Sequence, residues 1–540
     1  MSRPVAVAAA WLVFLPVAAA LAEGPPAGTW KFKFDGGKEP ITFLFYFSET
    51  DGKWTGDFVS SSHAVKQEPK FGDVTVTGDN LKFGLTFGGR EFINFDGVVS
   101  KDGKKITGSY SQFGGPLKLT ELYPSKLKKL DDPFSLAKET LTQVDAGPDL
   151  FEAGFIVLGD AGKKKLPADE ARSIADKLAK AASAYGPRWE RTTTLRLANT
   201  LAEQEGLAEV AVAQAQRAER MLGDDAPAAA AMEVYDTLVR VLTKAGKADQ
   251  TKKYTVLLAK LEAKDYADLI KANIPFPIEA YKGRKGKSDR VVLVEAFTTS
   301  EAPQAVGADN MVEALARTFK PTDVIVANFH VHVGRVPPDA LASGDGMDRL
   351  PLYGETLQSK GFPMLLIDGK AGPAATGAAT GAKDRYIAFR EAVEAELEKP
   401  ATVKLALAVT KGDKGYAAKA TVSDLEALGE KVFLRFILAE ERVRFAGGSG
   451  TKYHPYVVRA MPGGAKGFPL TKKSHEETVT VDVPAVREKL AKYLDEFAKN
   501  EGEFPRPDRP LELKKLKLIA FVQNDATGEV LNAAQVELGE

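Results

Sequence analysis

The segment 291–319 places a strand, a short polar turn and a helix in immediate succession. Residues 291–297 form an apolar run interrupted by Glu295, which is typical of a strand buried within a sheet. After the turn, apolar residues recur at helical spacing from a start near Pro303. Further apolar strands and a final helix follow. The order predicts an α/β unit, which we delimit to residues 291–399.

Cysteine is absent from all 540 residues of the chain. This excludes disulfides, thiolate nucleophiles and cysteine-ligated metal centres. Basic and acidic residues balance at 73 each, so no net field favours nucleic acid, and we expect no nucleic-acid partner. A chain of this length exceeds a single core and predicts a multidomain protein.

Residues 1–22 have the pattern of a secretory signal peptide. Arg3 precedes a nearly unbroken apolar stretch, and Ala20-Leu21-Ala22 matches a small-x-small cleavage site. The alternative is an uncleaved N-terminal anchor. A lipoprotein anchor would need a cysteine, and no later segment is long and apolar enough to cross a bilayer. We therefore expect a periplasmic or secreted protein with no transmembrane segment after cleavage.

Residues 25–123 alternate apolar and polar side chains with the period of strands. Hairpin-type turns separate the alternating runs at Asp51-Gly52, Gly78-Asp79-Asn80, Gly88-Gly89 and Asp102-Gly103. The pattern predicts an antiparallel β-barrel or sandwich of about seven or eight strands. Gly28-Thr29-Trp30 resembles the Gly-x-Trp opening of lipocalin-like barrels. Either the interior carries a small apolar ligand, or the chain's own phenylalanines fill it.

Residues 130–273 are rich in helix-forming residues, and apolar positions recur at helical spacing. Breaks are expected at Gly186-Pro187, Gly206, Gly223–Asp225 and Gly246. Their near-regular intervals resemble tetratricopeptide-like helical repeats, which stack into a concave surface. That surface either binds a partner or spaces the neighbouring domains. A basic linker, residues 274–290, follows.

Residues 400–540 return to strand patterns, with an amphipathic helix, 484–499, inserted between strands. An immunoglobulin-like β-sandwich with a helical insertion is the predicted fold.

The residues around the first α/β turn resemble a known motif. Glu295-Ala-Phe-Thr298, followed by Ala302 and Ala305, is similar to the motif of the thioredoxin superfamily, in particular of exported bacterial multidomain proteins. The resemblance implies that Ala302 and Ala305 replace both redox cysteines and that Pro363, after Phe362, is the cis-proline facing them. The ending 518–536 resembles the β-sandwich that follows thioredoxin-like units in that group.

The two alanines exclude thiol–disulfide exchange, because that reaction needs a thiolate at the helix N-terminus. Without that reaction, the resemblance still implies a shallow apolar groove that could bind an extended peptide or a small anion. The alternative is that a neighbouring domain covers this face. The candidate groove residues are Glu295, Ser300, Glu301, Ala302, Pro303, Gln304, Ala305, Phe362 and Pro363. Without cysteines, Glu295 is expected to be a hydrogen-bonded structural residue rather than a proton relay.

The sequence therefore predicts a redox-inactive binding or scaffolding protein of the cell envelope, with a protein or peptide partner and no cofactor. One alternative is a metal-dependent or hydrolytic enzyme using His330 and His332, with Asp339 or Asp345 as a third metal ligand. Ser300 lacks a histidine neighbour in sequence and is a poor nucleophile candidate. The other alternative is a carrier of a small apolar ligand in the N-terminal barrel.

Overall fold

The computed structural model describes residues 25, 27–37, 39–65, 67–355, 361–376, 381–413, 415–426, 431–506 and 508–539. The predicted signal peptide, residues 1–22, lies outside this part of the chain. Two compact units are present, Met1–Glu262 and Ala263–Glu540. Over the described ranges, no helix combines the length and apolar character that a membrane span requires.

The first unit begins with an eight-stranded antiparallel sheet in the order β3-β2-β1-β8-β7-β6-β5-β4. Its strands are β1 Gly28–Asp35, β2 Pro40–Thr50, β3 Lys53–Ser61, β4 Lys70–Thr77, β5 Asn80–Phe87, β6 Arg90–Val99, β7 Ile106–Gln112 and β8 Lys118–Pro124. The end strands β3 and β4 lie side by side, so the sheet forms a nearly closed barrel. All four predicted turns join consecutive strands, as the glycines and aspartates indicated.

Aromatic side chains fill the interior of the barrel. Phe32 is fully buried, and its ring lies within 6.0 Å, centroid to centroid, of the rings of Phe34, Phe45, Phe83, Phe95 and Tyr110. The Phe95 ring packs over Gly97, where a Cβ would lie 2.4 Å from the ring. This packing agrees with the filled-barrel alternative, and nothing in it favours the carrier alternative.

Of the helices that follow the barrel, the first six pack in chain order, and the next one extends past Glu262 into the second unit. Their bounds are α1 Pro133–Thr140, α2 Pro148–Gly159, α3 Ala168–Ser183, α4 Pro187–Ala202, α5 Ala208–Arg220, α6 Ala228–Lys244 and α7 Ala248–Asn273. The predicted breaks all fall at helix boundaries, with Pro187 as the first residue of α4, and α7 ends just before the prolines of residues 274–277. Leucines and alanines of α2 to α6 form one continuous core. The tetratricopeptide-like character of the stacking stays a prediction.

The second unit starts with an α/β segment. Its elements are β9 Val292–Thr298, α8 Val306–Thr318, β10 Val324–His330, α9 Gly344–Arg349, β11 Met364–Ile367, β12 Lys370–Ala371 and α10 Ala382–Leu397. Strands β9 and β10 are parallel, and β11 pairs antiparallel with β9. Every residue of β9 and β10 is buried, as their apolar runs predicted.

The C-terminal strands do not form a separate sandwich. They are β13 Lys404–Gly412, β14 Gly415–Ser423, β15 Val432–Arg444, β16 Tyr453–Ala460, β17 Phe468–Pro469, β18 His475–Val481, β19 Leu516–Asn524 and β20 Val530–Glu537, with α11 Val483–Glu501 between β18 and β19. Strand β16 pairs parallel with β10, which makes one sheet in the order β12-β11-β9-β10-β16-β15-β19-β20. The predicted domain boundary at residue 400 therefore does not separate two sheets, because strands before and after it belong to the same sheet.

The sandwich prediction is correct in one respect, since a second layer exists. Strands β13, β14 and β18 form a three-stranded sheet, and its core includes Leu518 and Ala520 of β19. The neighbouring Ile519 and Phe521 belong instead to a core shared with β9 and β10. Strand β19 is thus covered on both faces, which explains why its apolar residues are continuous rather than alternating.

The predicted linker 274–290 is also packed rather than loose. Arg290 is buried and forms an ion pair of 2.8 Å with Asp368, and Arg284 pairs with Asp323 at 2.8 Å. Arg284 and Arg290 are thus structural partners for carboxylates of the α/β segment.

Candidate functional site

The turn that resembles the redox motif lies between β9 and α8. Residues Pro303–Ala305 form a single 3₁₀ turn, and the Ala305 N–H donates to the Ala302 carbonyl oxygen at 2.9 Å. Four of the predicted site residues in this region are buried, namely Ser300, Glu301, Ala302 and Ala305, while Pro303 and Gln304 are exposed. The peptide bond between Phe362 and Pro363 is cis, as predicted; Pro363 is buried and Phe362 half-buried.

A loop of the C-terminal segment covers the buried half of this turn. The Ser449 N–H donates to the Ser300 carbonyl oxygen, and the Gly448 N–H donates to Glu301 Oε2, both at 2.8 Å. A Cβ on Gly447 would lie 2.1 Å from the Ser300 carbonyl oxygen, so the contact requires glycine there. Ala302 is therefore covered, as the alternative of a covered face requires, while Pro303 and Gln304 of the predicted groove stay exposed.

Glu295 has the structural role that was expected. It is fully buried and accepts two hydrogen bonds from Arg349, at 3.0 and 3.1 Å, and one from the Tyr353 hydroxyl at 2.6 Å. Gln523 of β19 donates to the same hydroxyl at 2.9 Å. The network ties the middle of β9 to α9 and β19, and it leaves Glu295 with no part in the predicted groove.

The hydrolytic alternative lacks the geometry that it needs. Ser300 Oγ donates to Asp339 Oδ1 at 2.7 Å, and His330 Nδ1 contacts Asp339 Oδ2 at 2.8 Å. The carboxylate therefore lies between the serine and the histidine, whereas an activated serine needs the histidine beside its hydroxyl. Burial opposes ionisation of Asp339, but His330 and the hydrogen bonds from Ser300 outweigh it and hold the pKa of that carboxyl well below its usual range.

The predicted pairing of His330 with His332 is wrong. The His332 ring stacks on Phe497 of α11, with 3.9 Å between ring centroids, and burial lowers its pKa. The two proposed third ligands also have other partners. Asp339 bonds to His330 Nδ1, and Asp345 accepts from the Met461 N–H at 2.8 Å and pairs with Lys489.

His330 instead meets two residues that sequence reasoning missed, Asp309 of α8 and His454 of β16. His454 Nδ1 lies 2.8 Å from Asp309 Oδ2, and the two histidine rings lie edge to face at 4.9 Å between centroids. Asn328 donates to the other oxygen of Asp309 at 2.8 Å. Burial opposes protonation of His454, but the adjacent Asp309 outweighs it and raises the pKa of the imidazole.

The exposed half of the turn lines a shallow groove of about 270 Å³. Its apolar lining includes Ile274, Phe276 and Met311. Its polar lining consists of the amides of Asn273, Gln304 and Asn310 and the guanidinium of Arg385. The groove follows the side of α8 that carries Gly307, Asn310 and Met311, and Asp309 is not among the residues that line it. Two of the nine predicted groove residues, Pro303 and Gln304, belong to it.

Placing cysteines at the two alanines tests the geometry of the turn. We expect the double variant Ala302→Cys with Ala305→Cys to form an intramolecular disulfide, because a turn closed by an i to i+3 hydrogen bond brings the two Cα atoms within disulfide range. Intact-mass analysis after mild oxidation measures the loss of two hydrogens. Either single variant is the control. A double variant that oxidises only when unfolded would contradict this geometry.

Comparisons with known proteins identify no family. No protein-family model matches the sequence, and no curated protein sequence matches it. Among solved structures, HBP35 of Porphyromonas gingivalis is 18% identical over 47% of this chain and 77% of that chain, with a TM-score of 0.31. A structure describing lipid–protein interactions in lipovitellin matches at 11% identity over 96% of this chain and 60% of that chain, with a TM-score of 0.13. Both superpositions are too distant to carry an argument, so the function must be inferred from the residues of the chain itself.

Proposed function

We propose that this chain is an exported, redox-inactive binding protein of the cell envelope. Its α/β segment is a thioredoxin-like unit that holds an extended segment of a partner polypeptide in the groove beside Gln304 and Asn310. The observation that carries the proposal is the groove itself, which lies on the exposed half of a turn whose redox positions are alanine and buried.

The succession of elements supports the thioredoxin-like part of the proposal. Strand β9 leads through the turn into α8, β10 runs parallel beside β9, and β11 and β12 follow as an antiparallel pair before α10. The chain contains no cysteine, so its own side chains supply no thiolate for exchange. The predicted signal peptide is the basis for export.

The size and lining of the groove favour a polypeptide over an enclosed small molecule. At about 270 Å³ it is smaller than most sites for drug-sized ligands, which are roughly 300–1,000 Å³. Its apolar walls accept a side chain of a partner, and the amides of Gln304 and Asn310 match the alternating donors and acceptors of an extended backbone. A short peptide in an extended conformation satisfies both features.

The test is a substitution that fills the groove. We expect the full-length protein to select a subset of an immobilised library of random 12-residue peptides (roughly the span of an extended recognition segment). Asn310→Trp should weaken binding of the selected peptides by at least about tenfold, or about 1.4 kcal/mol, because the indole occupies the groove. Fluorescence anisotropy with labelled peptides measures the dissociation constants.

Gln250→Trp is the matched control, because Gln250 is an exposed amide side chain near the start of α7, whereas Ala272 and Asn273 at the end of that helix line the groove. It should bind the peptides as the unmodified protein does. Selection of no peptide by the unmodified protein, or equal affinity for the Asn310→Trp protein, would overturn the proposal.

A further inference from the structure

We propose that Asp309, His330 and His454 form a buried site for a divalent transition-metal ion. This inference is independent of peptide binding in the groove. The three residues come from three elements, α8, β10 and β16, and each is at most 4% exposed. One ligand atom of each residue lies within 4.8 Å of a ligand atom of the other two.

The separations are compatible with coordination after small side-chain movements. Bonds of roughly 2.0–2.2 Å to nitrogen and oxygen place the ligands of a tetrahedral zinc ion roughly 3.3 Å apart. Asp309 Oδ2 and His454 Nδ1 are already 2.8 Å apart. A metal ion would take the place of the proton that these two groups share, with His330 approaching from the side.

Each ligand has a second partner that fixes its orientation, as is usual around metals. His330 Nδ1 bonds to Asp339 at 2.8 Å, which directs Nε2 as the metal-binding nitrogen. His454 Nε2 bonds to the Phe445 carbonyl oxygen at 3.1 Å, which leaves Nδ1 to the metal. Asn328 holds the remaining oxygen of Asp309 at 2.8 Å.

Two buried atoms in this cluster have no hydrogen-bond partner among the described residues. They are His330 Nε2 and Asn328 Oδ1, on residues that are 1% and 0% exposed. An unpaired buried polar atom is costly, and native structures rarely leave one without a partner, an ordered water or an ion. When His330 is neutral with its proton on Nδ1, its Nε2 offers a lone pair, and a cation held by the three residues would satisfy that atom.

The ligand chemistry selects the class of metal. Two imidazoles with one carboxylate and no thiolate suit Zn²⁺, Fe²⁺ or Co²⁺ better than Mg²⁺ or Ca²⁺, which prefer oxygen ligands throughout. Because the cluster is buried, the ion would have a structural role, holding α8 against the junction of β10 and β16. Asp339 is a positioning residue that orients His330 and also receives the Ser300 hydrogen bonds.

The experiment starts from the full-length protein stripped of metal with a chelator. Because the site is buried, Zn²⁺ or Co²⁺ is added both to the native protein and during refolding from urea. We expect one ion per chain by elemental analysis, together with a rise in the unfolding midpoint. X-ray absorption of the zinc-loaded protein should show nitrogen and oxygen neighbours at roughly 2.0–2.2 Å with imidazole scattering.

Variants locate the ion within the chain. His330→Gln, His454→Gln and Asp309→Asn should each reduce affinity for Zn²⁺ at least tenfold, and Asp339→Asn should reduce it about 10–100-fold. His332→Asn is the matched control, because its side-chain oxygen can replace His332 Nδ1 as the acceptor of the Asp339 N–H. His475→Gln, on β18, is the remote control.

The proposal fails if neither loading route gives stoichiometric metal, or if zinc-loaded protein lacks imidazole neighbours. It also fails if the His332→Asn or His475→Gln variant loses the metal while the His330→Gln variant retains it. The absorption measurement uses the unmodified chain, so it decides the question even if the cluster variants do not fold.

Discussion

Replacing Arg349 by alanine is expected to lower the free energy of unfolding by about 3–5 kcal/mol. Arg349 and Glu295 are both fully buried, and the guanidinium supplies two of the three hydrogen bonds that Glu295 accepts from side chains. Without it, a carboxylate in the middle of the sheet keeps the Tyr353 hydroxyl as its partner and has no compensating charge. The shift of the midpoint of urea unfolding, at an unchanged slope, measures the loss.

Lys492→Ala is the control in the same unit, because Lys492 pairs with Glu496 on the surface of α11 with both side chains more than 60% exposed. Its cost should stay within about 0.5 kcal/mol. The combined variant Glu295→Leu with Arg349→Met should recover much of the stability, because apolar side chains of similar volume avoid the cost of burying charge. An Arg349→Ala protein as stable as the Lys492→Ala protein would show that the buried pair contributes little.

Phe32→Ala is expected to destabilise the N-terminal barrel by about 3–5 kcal/mol. The ring is fully buried and contacts five other aromatic rings, so its removal leaves a cavity among rigid neighbours that close it incompletely. Urea unfolding monitored by tyrosine and tryptophan fluorescence measures the loss, since Trp30 and Tyr110 belong to the same core.

Phe113→Ala is matched in residue type and differs in exposure, because the Phe113 side chain is 73% exposed. Its effect should be below about 1 kcal/mol. If Phe32→Ala costs no more than Phe113→Ala, the barrel interior is loosely packed, and the carrier alternative regains support. The pair of variants therefore also tests which interpretation of the barrel is correct.

The features of the fold that sequence predicted are local ones. Alternating residues and Gly/Asp turns gave the strands of the barrel, and the glycine breaks gave the helix ends in residues 168–248. The pairing of β10 with β16 was not predictable, because it joins strands separated by more than a hundred residues. The apolar residues 518–522 are continuous, which indicates a strand that is buried on both faces. A strand of the predicted two-layer sandwich would have one face in solvent and would alternate instead.

The same distinction applies to the candidate site. The turn at Ala302 was located because its motif is contiguous, whereas its cover comes from Gly447 and Gly448, far along the chain. His454 carried no motif, and Asp309 was not among the predicted site residues. The two are 145 residues apart, and the sheet brings them together. Side-chain clusters of this kind depend on tertiary pairing, which spacing along the chain does not encode.

The continuous sheet of the second unit determines where the chain can be truncated without exposing its core. A fragment ending at residue 399 would leave β10 as an edge strand, with the backbone groups that face β16 unpaired. It would also expose the apolar face that β10 shares with Ile437, Ile519 and Phe521. Such an edge promotes association between copies of the fragment. The α/β segment and the C-terminal strands are therefore one folding and expression unit, even though each resembles a separate domain in sequence.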